Sequence, residues 1–163
     1  MELREAERKD LPGILRIWNH FITETNSNYD YEVKTIDFIN EWYQQKQKQN
    51  LPLLVIADDQ NVAGYASYGS FRPHAGFRKT VEHGIYISPN YLGNGFGKIL
   101  MNNLIIRAKT QGYHTMLGVI DAENTGSILF HQKYDFKEVG RMPQVGYKNG
   151  KWLECLIMQL ILV

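Results

Sequence analysis

Residues Val81 to Leu104, VEHGIYISPNYLGNGFGKILMNNL, join a strand, a glycine-rich turn and an amphipathic helix without a break. Such a unit needs a sheet beside the strand and a core beneath the helix, so it dictates a layered α/β arrangement. The turn Gly93-Asn94-Gly95-Phe96-Gly97 opens the helix. A helix start offers unpaired N–H groups and the positive end of the helix dipole, a natural seat for phosphate. Side chains alternate along a strand, so Val81, His83, Ile85 and Ile87 share one face and Glu82, Gly84 and Tyr86 the other. Glu82 is then a lone carboxylate beside the small Gly84, on the strand that leads into the phosphate seat. The bland alternatives are a solvent-facing strand carboxylate and a helix entry whose glycines serve packing.

The remaining elements follow from periodicity. Glu2–Ala6 alternates as an edge strand, and Glu7–Asn19 spaces Leu11, Ile14, Leu15 and Trp18 as a helix. Thr23–Tyr31 is polar and loop-like, and Thr35–Lys48 is a second helix with Ile36, Ile39 and Tyr43 on one face. Leu51–Ala57 is a buried strand by its apolar run, Asp58–Asn61 turns the chain, and Val62–Phe71 returns beside it. Arg72–Lys79 is a cationic loop. Phe96–Thr110 is the central helix, with Phe96, Ile99, Leu100, Leu104, Ile105 and Ala108 on its buried face and Gly112 as C-cap. His114–Ile120 is a strand, followed by a turn and a short helix ending near Lys133. Lys137–Tyr147 and Lys151–Leu162 flank Asn149-Gly150, a strong hairpin signal. The order β α α β β β α β α β β predicts a mixed α/β sheet with helices on both faces, in one domain spanning residues 1–163.

Composition narrows the function classes. Eighteen Lys and Arg against 17 Asp and Glu leave a net charge of +1, which gives no support for a nucleic-acid surface. No apolar run approaches the ~20 residues of a membrane span. The charged N-terminus lacks a signal core, and the single Cys155 cannot form an internal disulfide, so a cytoplasmic protein is expected. His20, His74, His83 and His114 show no metal-ligand spacing and read as structural or solvent-facing; no metal is expected. Ten tyrosines are available to line a pocket or an interface.

The glycine turn lacks the Lys-Ser/Thr of a P-loop, since Lys98 and Ile99 follow Gly97. The pattern SP-x-x-x-G-x-G-x-G before an amphipathic helix resembles the acetyl-CoA-binding motif of the GNAT superfamily of N-acetyltransferases. Its Gln/Arg-x-x-Gly-x-Gly/Ala form maps onto Leu92 to Gly97, with Leu92 departing at the first position. Because backbone amides make the cradle, binding is expected to survive this departure. A second segment, Asn-x-x-Ser/Ala then Tyr-x-x-x-Gly-Phe, matches Asn124, Ser127, His131, Asp135 and Phe136. His131 replaces the tyrosine, and Asp135 replaces the glycine, where Asp tolerates a left-handed backbone. Arg72 to Arg78 (RP-x-x-GFR), Thr80 to Pro89 and Arg141 to Glu154 further resemble the phosphinothricin and methionine sulfoximine acetyltransferase group.

The resemblance implies a mostly antiparallel, twisted sheet whose strands 81–88 and 114–120 splay apart at the cofactor. It implies acetyl-CoA held by Gly93, Asn94, Gly95, Phe96, Gly97 and Lys98 at the pyrophosphate, by Ile85, Tyr86 and Ile87 along the pantetheine, and by Asn124. Glu82 would be the general base and His131 the acid for the departing thiolate, with helix-surface packing as the plain alternative for His131. Arg72, Gly76, Phe77 and Arg78 would meet the substrate, a small amino acid with a carboxylate or phosphinate. A homodimer is implied, with no nucleic acid or membrane partner. Acetylation of another amine (a protein N-terminus, a polyamine or an aminoglycoside) and a non-catalytic acyl-CoA sensor stand as alternatives.

Overall fold

The computed structural model describes all of residues 1–163. Its elements are β1 (Glu2–Glu5), α1 (Leu11–Thr23), α2 (Ile36–Lys48), β2 (Leu53–Ala57), β3 (Val62–Ser70), β4 (Thr80–Ile87), α3 (Phe96–Thr110), β5 (Thr115–Asp121), α4 (Thr125–Gln132), β6 (Lys137–Lys148) and β7 (Lys151–Ile161). Element types and order match the expectation. The first helix starts later than expected, because Asp10 is buried in a turn. Its carboxylate accepts from the Glu7 amide at 2.7 Å and from the Arg4 guanidinium at 2.6 and 3.0 Å. That lock holds Glu7–Asp10 outside α1, and Pro12 follows in the first helical turn, where its missing N–H costs nothing.

The strands form one sheet in the order β1-β2-β3-β4-β5-β7-β6. Every neighbouring pair is antiparallel except β4 and β5. β2 is buried on both faces, as its run LLVIA requires. Leu53, Val55 and Ala57 pack with Leu11, Ile14, Ile17 and Ile39 of α1 and α2. Leu54 and Ile56 pack with Leu100, Met101, Leu104 and Ala108 of α3 on the opposite face. One expected core position is corrected: Ile99 is 41% exposed, while Met101 is fully buried in its place. α3 leans on the sheet through residues 100, 101, 104 and 108, which turns Ile99 to the rim.

Backbone conformations agree with the residue types. The Asn149-Gly150 turn has φ of 52° and 77°, and Asp135 has φ of 63° in the left-handed region. β4 is placed by β3, which it pairs from Val81 opposite Ser70 to Ile87 opposite Gly64. Gly64 allows this approach: an added Cβ would lie 2.9 Å from the Tyr86 carbonyl and 2.5 Å from the Ile87 side chain. The side chain can turn away, but the carbonyl belongs to the ladder. Gly64→Ala is therefore expected to destabilise the protein by about 1–3 kcal/mol, read as a lower urea midpoint at unchanged m. An unaltered midpoint would show that β3 and β4 can separate freely.

Candidate active site

β4 and β5 pair only at Thr80–Thr115, Val81–Met116 and Glu82–Leu117. Beyond these, β4 bonds only to β3 and β5 only to β7. The strands fork, and the facing backbone edges of residues 83–87 and 118–121 are open. A cleft of about 300 Å³ fills the fork. Its walls include His83 to Ile87, Gly118 to Asp121, and Phe130 and His131 of α4, and it reaches Leu92 and Gly97 at the start of α3.

The α3 entry is built for an anion. Gly93 and Gly95 have φ of 80° and 76°, open to glycine without strain. The first bonds into the helix run from the Lys98 and Ile99 amides to the Gly95 carbonyl, at 3.0 and 3.3 Å. The amides of Gly93 to Gly97 have no backbone acceptor. An added Cβ at Gly93 or Gly95 meets nothing within 4 Å, so the space above the cradle is open. Leu92 is 66% exposed beside it. The cradle and the open edge of Ile85 to Ile87 fit a long ligand with a phosphate end and an amide-bearing arm, the shape of acetyl-CoA.

A histidine pair sits in the crotch of the fork. His131 Nδ1 lies 2.7 Å from the Ser127 carbonyl, and its Nε2 lies 3.1 Å from His83 Nε2. A carbonyl only accepts, so His131 carries its proton on Nδ1, and His83 donates from Nε2. His83 Nδ1 is then a buried lone pair with no partner. Gly118 makes room for the pair: a Cβ there would lie 3.0 Å from His131 Nε2 and 3.3 Å from His83 Nε2. Burial, with His131 adding to it, pushes His83 down to about 3. Burial likewise lowers His131, against the bond to Ser127. His131 is thus neither surface packing nor, in its neutral form, the holder of an N–H aimed at the cleft. Asn124 borders the cleft, but its side chain is engaged at both ends. It accepts from the Ser127 amide at 3.1 Å as the N-cap of α4 and donates to Ser27 Oγ at 3.1 Å.

Glu82 lies on the other face of β4, as alternation requires. It borders a second pocket of about 370 Å³ walled by Trp18, Trp42, Tyr65 and Tyr86, with Lys46 of α2 on its rim. Crowding by the protein raises the Glu82 carboxyl above its usual range, and Arg72 partly opposes this. The Tyr86 ring stands beside Gly84, where an added Cβ would approach it to 3.0 Å. Of the loop residues, Arg72 stacks over Phe71 at 5.1 Å and acts on the Glu82 charge. Gly76, Phe77 and Arg78 are exposed and stand outside both pockets. Sequence reasoning missed His83 and Lys46. Each had one signal: a polar residue at an inward position of an apolar period, His83 after Val81 and Lys46 after Ile39 and Tyr43.

Residues 14–136 match the model of the acetyltransferase (GNAT) family. The chain belongs to that family and is an acyltransferase by fold and site. It is 41% identical, over 97% of its length and 92% of the relative, to the L-methionine sulfoximine/L-methionine sulfone acetyltransferase of Pseudomonas paraeruginosa. It superposes with a TM-score of 0.97 on an N-acetyltransferase from Staphylococcus aureus Mu50, at 39% identity, covering 99% of this chain and 98% of that one. A GNAT superfamily phosphinothricin acetyltransferase from Sinorhizobium meliloti, solved with acetyl-CoA, superposes at 0.94 with 30% identity, covering 98% and 87% of the two chains.

The histidine pair gives stability a pH dependence of definite sign. Unfolded His83 binds a proton below its ordinary value of 6.5, and the folded one only below about 3. Its contribution is therefore present above pH 6.5 and is lost as pH falls toward 3. His83→Phe is expected to remove up to about 1.4 kcal/mol per pH unit from the acid slope of unfolding free energy. Urea titrations at several pH values in that window measure it; parallel slopes would mean that His83 does not stay neutral.

Proposed function

We propose that this enzyme transfers acetyl from acetyl-CoA to the α-amine of a small amino acid or analogue, of the methionine sulfoximine, methionine sulfone or phosphinothricin type. The observation that carries the reading is the fork. It leaves the β4 edge open, with an amide cradle beyond it and a carboxylate in an aromatic pocket on the other face of the same strand. The named substrates of the relatives support the choice of amine.

When bound, acetyl-CoA supplies an activated thioester. Gly93, Asn94, Gly95, Phe96, Gly97 and Lys98 hold its phosphates, the backbone of Ile85, Tyr86 and Ile87 receives its arm, and Asn124 borders the arm. Glu82 takes the proton that an ammonium must lose before it can attack, directly or through a water. Burial raises its pKa, which strengthens it as a base. The Ile85 amide faces the fork and steadies charge developing on the thioester oxygen. His131 can return a proton to the departing thiolate only after the histidine pair has gained one, because its neutral Nε2 is an acceptor.

Arg72 tunes Glu82 and meets anionic groups of the substrate, with Gly76, Phe77 and Arg78 completing that side when the loop or a second copy closes on it. Residues 1–163 act as one domain, in a cytoplasmic homodimer. The exposed Val139, Met142, Val145, Tyr147 and Trp152 of the outer β6–β7 hairpin support self-association.

Glu82→Gln tests the base. We expect kcat/KM to fall about 10²–10⁴-fold. In the parent enzyme it should drop as pH falls through the raised Glu82 pKa, because the base must be unprotonated; the variant should lose that limb. Thiol release with a panel of amino-acid analogues and other amines reads both the activity and the substrate class. An unchanged limb removes Glu82 from the base role. Acetyl-CoA binding without turnover on any amine identifies a sensor instead.

A further inference from the structure

Lys46 holds a position on α2 that helical spacing assigns to the buried face, one turn after Tyr43. It is 9% exposed. Its ammonium donates to the Tyr68 carbonyl at 2.7 Å and lies 5.3 Å from the Trp42 ring centroid. Its other donors have no protein acceptor, and no carboxylate forms an ion pair with it. Lysine is rarely buried without a counter-charge, because a desolvated ammonium is expensive. Burial alone pushes this one down to about 8, so an arriving anion would gain strongly from it.

The uncompensated charge borders the pocket that contains Glu82. Around it stand the aromatic walls Trp18, Trp42, Tyr65 and Tyr86. The pocket therefore offers one anion and one cation among apolar rings. An amino acid presents the complement: an ammonium, a carboxylate one carbon away, and a side chain. Arg72 and Arg78 do not border this space.

We propose that Lys46 is a specificity-determining residue that receives the α-carboxylate of the substrate while Glu82 receives its amine. This rests on the amino-acid reading of the site and assigns what makes the acceptor an amino acid rather than a simple amine. The loop cations are then left to the far polar group of the substrate.

The test compares L-methionine sulfone with its carboxamide, which keeps the amine and side chain but loses the negative charge. For Lys46→Met the preference for the acid over the amide, as a ratio of kcat/KM, should shrink about 10–100-fold, mostly through KM of the acid. Lys46→Arg should recover much of it. A lysine that merely supports the Tyr68 carbonyl would lower both substrates alike and leave the ratio intact, which would overturn the assignment. Calorimetric binding of both probes to the CoA-saturated protein gives a second readout. Carboxylate-dependent binding that Lys46→Met abolishes supports Lys46 even in an enzyme that turns neither probe over, and in that case only the proposed reaction fails. Equal binding of acid and amide by the unaltered protein overturns it.

Discussion

The pairing of β4 with β5 stops at Glu82 and Leu117, and the site depends on that interruption. Backbone N–H and C=O groups in a sheet interior almost always find partners. An edge left open in the middle of a seven-stranded sheet therefore leaves backbone groups free to bond something other than the neighbouring strand. The parallel orientation matters as well. Two parallel strands need a long crossover, here α3, and that crossover brings a helix N-terminus to the mouth of the same fork. Opening the sheet and placing the anion cradle are two results of one topological choice.

Side chains pack over the sheet face at the point where the pairing stops. His83 is the first β4 residue past the last pair, and Gly118 is its counterpart on β5. The His83 and His131 rings sit over Gly118, with Phe136 packed 5.4 Å from His83 and 5.1 Å from His131. The unpartnered Nδ1 of His83 shows that this packing is not an optimum of hydrogen bonding. Buried unsatisfied groups are tolerated where the arrangement serves function. The chain of protons from His83 to His131 to the Ser127 carbonyl also fixes both tautomers, so the neutral pair has no N–H left to turn toward the cleft.

Period-two alternation puts opposite chemistry on the two sides of one strand. His83, Ile85 and Ile87 look toward α3 and α4, while Glu82 and Tyr86 look toward α1 and α2. The two pockets thus lie on opposite faces of the strand beside which the sheet is open. On the face that carries Glu82 the charges are sparse: Glu82, the buried Lys46 and, outside the pocket, Arg72. Of these, only Lys46 is buried, so its charge is the least screened by solvent.

Much of this was written in local sequence. Alternation placed Glu82 and His83 on opposite faces, positive-φ glycines marked the cradle, and Asn-Gly marked the last hairpin, because each depends on residues next to one another. The motif from Leu92 to Gly97, with Asn124 to Phe136, also named the ligand class through resemblance. Other features join residues far apart and had no local mark. The His83–His131 contact spans 48 positions and the bond from Lys46 to the Tyr68 carbonyl spans 22. Asn124 read as a free ligand group, yet its partners are Ser127 and the distant Ser27. Gly84 read only as a small residue beside Glu82, yet the Tyr86 ring stands beside it. The sequence by itself determined the order of elements, the glycine turn and the face of Glu82, because backbone propensity and periodicity are local. Only the tertiary structure decided where pairing stops, which nitrogens carry protons and where a cation is left unpaired, because those are properties of side chains brought together by folding.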